Sequence, residues 1–410
     1  AIAGHILGDN ALVAIGATSS LFSLIMTFAN GLSGGFGIII AREFGAKNES
    51  KVKSAVAHSL IINIIIGAVI SLLSLVVTKP ILTAMNTPAA QFGDAYRYII
   101  VILCTVAVPM IYNLEATILR SVGDSKTPLY FLIFASIMNI ILDWVFMKNL
   151  DMGVTGAAVA TVVSQLTASL LCLIVIKKNF PVLHITKSDF ARDKKLTSDM
   201  LSAGMTMATM NSIFSIGSII MQGAINALGE TIIAAHLASR KLAEMFMQPL
   251  VTVGLACSTF VSQNFGAKKY DRISKAIRYS LIYCAVWSVI SFFVLWFLGA
   301  KATVLITGTG NAEVVRNTAM YLRINAPFYF VLGILFVLRF SIQSINRKIP
   351  PLISSAMELG TKIAAAFVFI PMWKYTGACI AEPLSWCMGA IYLSVVFASE
   401  MKKINQKSKA

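Results

Sequence analysis

An all-α integral membrane protein is the fold class this sequence predicts, and three observations predict it. Of its 410 residues 57% are hydrophobic and only 13% charged, with a mean hydropathy of +0.78. A soluble chain carries about a quarter charged residues, and this one has more apolar surface than a water-soluble core can bury. Apolar windows of about 20 residues, enough to cross a bilayer, recur along the whole chain. The first half is echoed in the second: FGAKNESKVKSAVAHSL at 44–60 and FGAKKYDRISKAIRYSL at 265–281 lie 221 residues apart at every position.

In chain order the apolar windows predict helices near 11–41, 52–77, 94–121, 128–147, 153–176, 198–226, 231–262, 272–298, 314–345, 350–372 and 376–399. A turn at Gly45 separates the first two, and Pro80 and Pro88 close the second. Gly123 ends the third, and Pro128 opens the fourth. Pro181 follows the fifth, Gly266 divides the seventh from the eighth, and Pro350-Pro351 opens the tenth.

Lys and Arg are distributed unequally between the two sets of connections. Stretches 42–53, 120–126, 177–195, 268–278 and 347–348 and the tail 402–409 hold 23 of them. The opposite connections hold six: Lys79, Arg97, Lys148, Lys301, Arg316 and Lys374. The positive-inside rule places the first set in the cytoplasm. The formal charge of +16 is thereby read as orienting the chain on anionic lipid, not as a nucleic-acid surface. The six cysteines lie in apolar runs without paired spacing and the four histidines are scattered. This pattern suits neither a disulfide framework nor a zinc site. No clustered nucleophile, base or metal set suggests an enzyme, and no resident cofactor is expected.

The echo runs well beyond the opening motif. At the 221 offset Gly8, Ala14, Ala17 and Leu21 match Gly229, Ala235, Ala238 and Leu242, and Thr155-Gly156-Ala157 matches Thr376-Gly377-Ala378. Ala160 and Ser164 match Ala381 and Ser385. At an offset of 223, Tyr98, Ser121 and Pro128 match Tyr321, Ser344 and Pro351. Both FGAK loops fall on the basic side, which predicts a parallel repeat about an axis along the membrane normal. Helix 198–226, moved back by 221, maps ahead of residue 1, so AIAGHIL reads as the end of a first helix. The expectation is twelve transmembrane helices in two parallel-repeat six-helix bundles. Residues 1–176 form the N-terminal bundle, lacking most of helix 1, and 177–197 a cytoplasmic linker. Residues 198–400 form the C-terminal bundle and 401–410 a basic cytoplasmic tail. The protein is expected in the cytoplasmic membrane, multi-pass, both termini cytoplasmic, as a monomer. Two equal bundles with a midplane cleft suit alternating access by rocking.

GDNALVAIGATSSL, FANGLSGGFGIIIAREFGA, LRSVGDSKTP, NIILDWVF, GVTGAAVAT and TFVSQNFGAK together resemble the multidrug and toxic compound extrusion family, over nearly the whole chain. The resemblance implies a twelve-helix, two-lobe antiporter. It would export amphipathic, often cationic compounds in exchange for H⁺ or Na⁺.

Ionisable residues at membrane depth are functional candidates by default. Asp143 lies about 15 residues into helix 128–147, roughly 22 Å from its cytoplasmic end at 1.5 Å per residue. No basic residue stands three or four positions away, and Asn139 is one turn earlier on the same face. A carboxylate with amide oxygens supplies the hard ligands that Na⁺ takes, or an acceptor for a proton. The plainer alternative is a helix-end residue facing water near Lys148. The resemblance implies a first-lobe cation site on such an Asn-x-x-x-Asp pair, with Thr161 of GAAVATVV and Asn113 as further ligands. It also implies an Asp just ahead of the segment matched by Ile2-Ala3-Gly4. The acids of the seventh and tenth helices that serve another branch of the family have no counterpart here.

Glu115 lies mid-helix without an i±4 partner and is a candidate for a cation-attracting cleft or for the Asp143 network. Glu382 matches Thr161 across the repeat, so it reads either as a second-lobe counterpart of the site or as a solvated helix-end residue. Met205 and Gln222 are cleft candidates on helix 198–226. Flexible Met suits varied ligands, although apolar filler is the commoner role. Gly31, Gly34, Gly35 and Gly37 suit close helix packing. Arg240 with Glu244 and Glu358 with Lys362 read as i,i+4 pairs on single helices. A lipid-linked saccharide flippase of a related fold is the competing function. It would require several free Arg residues in the cleft for a diphosphate.

Overall fold

The structure is a computed structural model that describes residues 9–84, 89–191, 193–308 and 311–409. Ile2-Ala3-Gly4, the AIAGHIL stub, Pro88 and Arg192 lie outside the described residues. Every regular element among those described is helical. They are α1 (Asp9–Gly45), α2 (Glu49–Ala84), α3 (Ala89–Cys104), α4 (Ala107–Ser121), α5 (Lys126–Trp144), α6 (Gly153–Asn179), α7 (Lys194–Asn226), α8 (Glu230–Gly266), α9 (Tyr270–Thr307), α10 (Ala312–Asn325), α11 (Tyr329–Ser344), α12 (Ile349–Ala364) and α13 (Tyr375–Lys409). Ten spans among the described residues are long and apolar enough to cross a membrane, and the bent pair α3–α4 makes an eleventh. The chain is therefore an all-α, multi-pass membrane protein, and bulky apolar side chains such as Leu72, Val76, Ile137, Ile141, Phe297 and Leu305 stand exposed.

The predicted helix 94–121 is not continuous. It bends by 46° between α3 and α4. Pro109 explains the break, because its ring excludes the carbonyl of residue 105 from helical register. The matching helix 314–345 tightens into a 3₁₀ turn at Ala326–Phe328, which contains Pro327, yet continues as one span. Pro80, expected to end the second helix, instead lies inside α2; one lost bond near a helix end is tolerated in a membrane span. The predicted tail 401–410 continues α13 as helix to Lys409.

Two compact units are present, Ala1–Ala208 and Thr209–Ala410, and the division falls inside α7. In the first unit Leu32, Phe36 and Ile40 of α1 pack with Leu114 and Ile118 of α4 and with Met200 and Ala203 of α7. The α1–α7 approach is close enough to demand glycine: a Cβ on Gly31 would stand 2.5 Å from Ala208 Cα, and one on Gly35 2.5 Å from Gly204 Cα. The connection after α6 is ordered as two 3₁₀ turns, Pro181–Leu183 and Lys187–Phe190, with Leu183 buried in the same core. In the second unit Leu250 and Val261 of α8, Cys284 of α9, Tyr321 of α10, Leu335 of α11 and Trp386 of α13 form the core.

The internal repeat is visible in detail when each unit is described separately. α1 and α8 begin and end 221 residues apart. Lys47 and Lys268, the lysines of the two FGAK motifs, both adopt left-handed backbone with φ 57°. The glycines before them, Gly45 and Gly266, are the last helical residues. Ser121 Oγ donates to Gly37 O at 3.0 Å, and its repeat partner Ser344 Oγ donates to Ser258 O at 3.0 Å. A π-helical turn follows α5 at Val145–Asn149 and α12 at Ala365–Phe369. Gly156 and Gly377 of the repeated Thr-Gly-Ala pack on these turns: a Cβ would meet Phe146 C at 3.0 Å and Phe369 C at 2.4 Å respectively.

Candidate cation site

Helix α5 places Asn139 and Asp143 one turn apart, and α6 packs beside it. Asn139 Nδ2 donates to Thr161 Oγ1 at 3.4 Å, and Thr161 Oγ1 donates to Ala157 O at 3.0 Å. Asn139, read from its spacing to Asp143, and Thr161, matched through the resemblance, are thus side-chain neighbours. Asp143 Oδ1 is buried and receives no hydrogen bond among the described residues. Nor does any described residue form an ion pair with Asp143. Tyr98 of α3 is its electrostatic neighbour, a residue that the single-helix reading missed. Its repeat match to Tyr321 was the available signal. A buried carboxylate oxygen without a donor is costly, and binding a proton or a hard cation relieves that cost.

Asn113 lies on α4. Its amide donates to Pro109 O of its own helix at 2.8 Å, a carbonyl one turn back, near the α3–α4 break. Glu115 is 1% exposed, so it lies within the packed α4–α6 interface. Tyr112, Ser169 and Cys172 are its neighbours. Neither of its oxygens has a well-formed hydrogen bond among the described residues. Ser169 is eight residues beyond Thr161, or about 12 Å along α6, and these neighbours differ from the Tyr98 beside Asp143.

The second unit decides between the two readings of Glu382 and corrects the pairing of Glu358. Glu382 is buried, not solvated: it pairs with Arg240 Nη1 at 3.2 Å and with Lys362 Nζ at 3.4 Å. Glu358 does not pair with Lys362 one turn away; its partner is Arg339 of α11. Spacing within one helix gives proximity, but buried charges settle on whichever neighbouring helix brings the opposite charge into the same dry region. Glu400, near the end of α13, pairs with Arg347 at 2.7 Å and Lys403 at 3.0 Å. Arg240 does pair with Glu244, at 3.1 Å.

Among the cleft candidates, Gln222 Nε2 donates to Asn226 Oδ1 at 2.7 Å along the face of α7. Met205 is exposed and borders a groove of about 660 Å³ shared with His58, Phe190 and Lys194. Met200, Met207, Met210, Met221 and Met247 are buried. Among the described residues no three His, Cys, Asp or Glu side chains converge as a metal cluster.

Comparison with known proteins agrees with this architecture. The chain is 29% identical over 282 residues to a probable multidrug resistance protein YoeA of Bacillus subtilis, covering 67% of this chain and 61% of that protein's length. It is 23% identical to a probable multidrug resistance protein NorM of Thermotoga maritima, over 89% of this chain and 79% of the relative. The fold matches a crystal structure of MATE in the bent conformation with a TM-score of 0.91 at 21% identity, over 98% of this chain and 90% of that one. An outward-facing multidrug resistance MATE family transporter of the MOP superfamily matches at 0.90 and 21% identity, over 96% and 88%. The sequence model of the MatE family matches residues 1–145 and 206–368, so the chain belongs to the MatE family, whose members are transporters and not enzymes.

Proposed function

We propose that this protein is a secondary active multidrug exporter, moving amphipathic, often cationic compounds out of the cell in exchange for H⁺ or Na⁺ by alternating access. The observation that carries the reading is Asp143: a buried carboxylate oxygen without a hydrogen-bond donor among the described residues, one turn from an Asn139 that touches Thr161. In this account Asp143 takes the coupling ion, Asn139 and Thr161 contribute oxygens, and Tyr98 borders the site. The names of the relatives support drug export, and the basic stretches support a cytoplasmic-membrane location with both termini inside.

The flippase alternative needs cations free to hold a diphosphate. Arg240, Arg339 and Lys362 each face a carboxylate, which favours the exporter. The test is efflux of a fluorescent lipophilic cation from cells expressing the full-length protein. Asp143→Asn is expected to abolish efflux at matched membrane abundance. Undiminished efflux would remove Asp143 from the mechanism.

A further inference from the structure

The repeat relates the first-unit cation site to the buried charge cluster of the second unit residue by residue. Tyr98 maps to Tyr321 and Asn139 to Lys362 at the offset of 223, and Thr161 maps to Glu382 at 221. The contacts map as well. Asn139 meets Thr161 across α5 and α6 at 3.4 Å, and Lys362 meets Glu382 across α12 and α13 at 3.4 Å. Tyr98 is an electrostatic neighbour of Asp143, as Tyr321 is of Arg240 and Glu382. The charges differ. The first unit has an acid at Asp143, where the 223 offset puts Ala366 in the second. The second unit has its acid at the Thr161 position and an ammonium at the Asn139 position.

The surroundings of Lys362 are shaped for a cation. Its side chain is only 2% exposed. Its stem lies over Gly217, where a Cβ would come within 2.7 Å of Lys362 Cδ. Its Nζ stands 4.1 Å from the centre of the Phe214 ring, a favourable cation–π placement. Glu382 is the counter-ion, shared with Arg240, and His236 and Tyr321 are electrostatic neighbours of that carboxylate. Carboxylate, aromatic face and a glycine-lined groove together make a cation receptacle, and a side chain of the chain itself fills it.

We infer that Lys362 is a tethered resident cation, so that the second unit's counterpart of the cation site is permanently occupied and ion exchange is confined to the first unit. This rests on the Asp143 reading, and the test separates the two. Cations bound by the purified full-length protein are counted as ²²Na⁺ bound and as protons taken up.

Asp143→Asn is expected to bind none. Asp143→Asn/Lys362→Met is expected to gain one cation at Glu382, and adding Glu382→Gln is expected to remove it. A cation retained by Asp143→Asn and lost on adding Glu382→Gln overturns the inference, because the second unit would then bind an ion beside Lys362. The same follows if the Lys362→Met protein elutes as wild type yet gains nothing. A cation retained in both Asp143→Asn and Asp143→Asn/Glu382→Gln counts against the Asp143 reading alone, and the gain from Lys362→Met is then read above that baseline.

Should Lys362→Met fold poorly, Lys362→Ala is melted with and without n-butylammonium. A rise in Tm confined to Lys362→Ala supports the tether. An equal response in wild type and variant overturns it.

Discussion

Arg339 and Glu358 are buried against each other between α11 and α12, and Arg339 Nη2 also donates to Ser354 Oγ at 3.0 Å. Removing one partner of such a pair strands a charge and costs about 3–5 kcal/mol, whereas replacing both by apolar residues is often neutral. Glu358→Gln should therefore lower the melting temperature of the purified protein clearly, and Arg339→Leu/Glu358→Leu should recover most of it. Equal losses in the two variants would contradict the pairing. The same logic shows which residues could be identified from sequence. Asp143 and Asn139 were readable because their relation lies within one helix, where period and spacing decide. Thr161 came through the family resemblance. The pairing of Lys362 with Glu358 was misread, and the two readings of Glu382 stayed open, because their partners are on other helices, and the packing that selects them leaves no local mark. Tyr98 had only its match to Tyr321 as a signal.

The glycines carry much of the element packing. A Cβ at Gly35 would meet Ala203 and Gly204 backbone at 2.5 Å, while one at Gly360, mid-helix in α12, would meet nothing within 4 Å. Overpacking costs about 1–3 kcal/mol, and Gly→Ala in an open helix position gains up to about 1 kcal/mol. Gly35→Ala should thus lower the melting temperature, and Gly360→Ala should leave it unchanged or raise it. A Gly35→Ala protein as stable as wild type would contradict the α1–α7 approach. The helices themselves were legible from apolar windows, and their ends largely from Gly and Pro. The bend before Pro109 was not, because the windows on either side of it are equally apolar. The π-turns after α5 and α12 were not either, since a π-turn leaves the apolar pattern intact. Only the repeated Thr-Gly-Ala that packs on them could be seen.

At the scale of the molecule, the duplication was legible because identical turns and cross-helix hydrogen bonds constrain identical residues. The Ser121 and Ser344 bonds and the left-handed Lys47 and Lys268 show what those constraints are. The basic loops make a prediction of their own. With the six native cysteines replaced, Lys268→Cys should react with a membrane-impermeant maleimide only after cell lysis, and Lys374→Cys should react in intact cells. The reverse pattern would invert the topology. The central claim is that Asp143 couples an inward cation gradient to export. The most direct measurement is dye uptake by proteoliposomes holding the full-length protein, under an imposed Na⁺ gradient and, separately, an imposed pH gradient. The account predicts gradient-driven movement by wild type with one of the two ions and none by Asp143→Asn with either. Gradient-driven movement that survives in Asp143→Asn would contradict it.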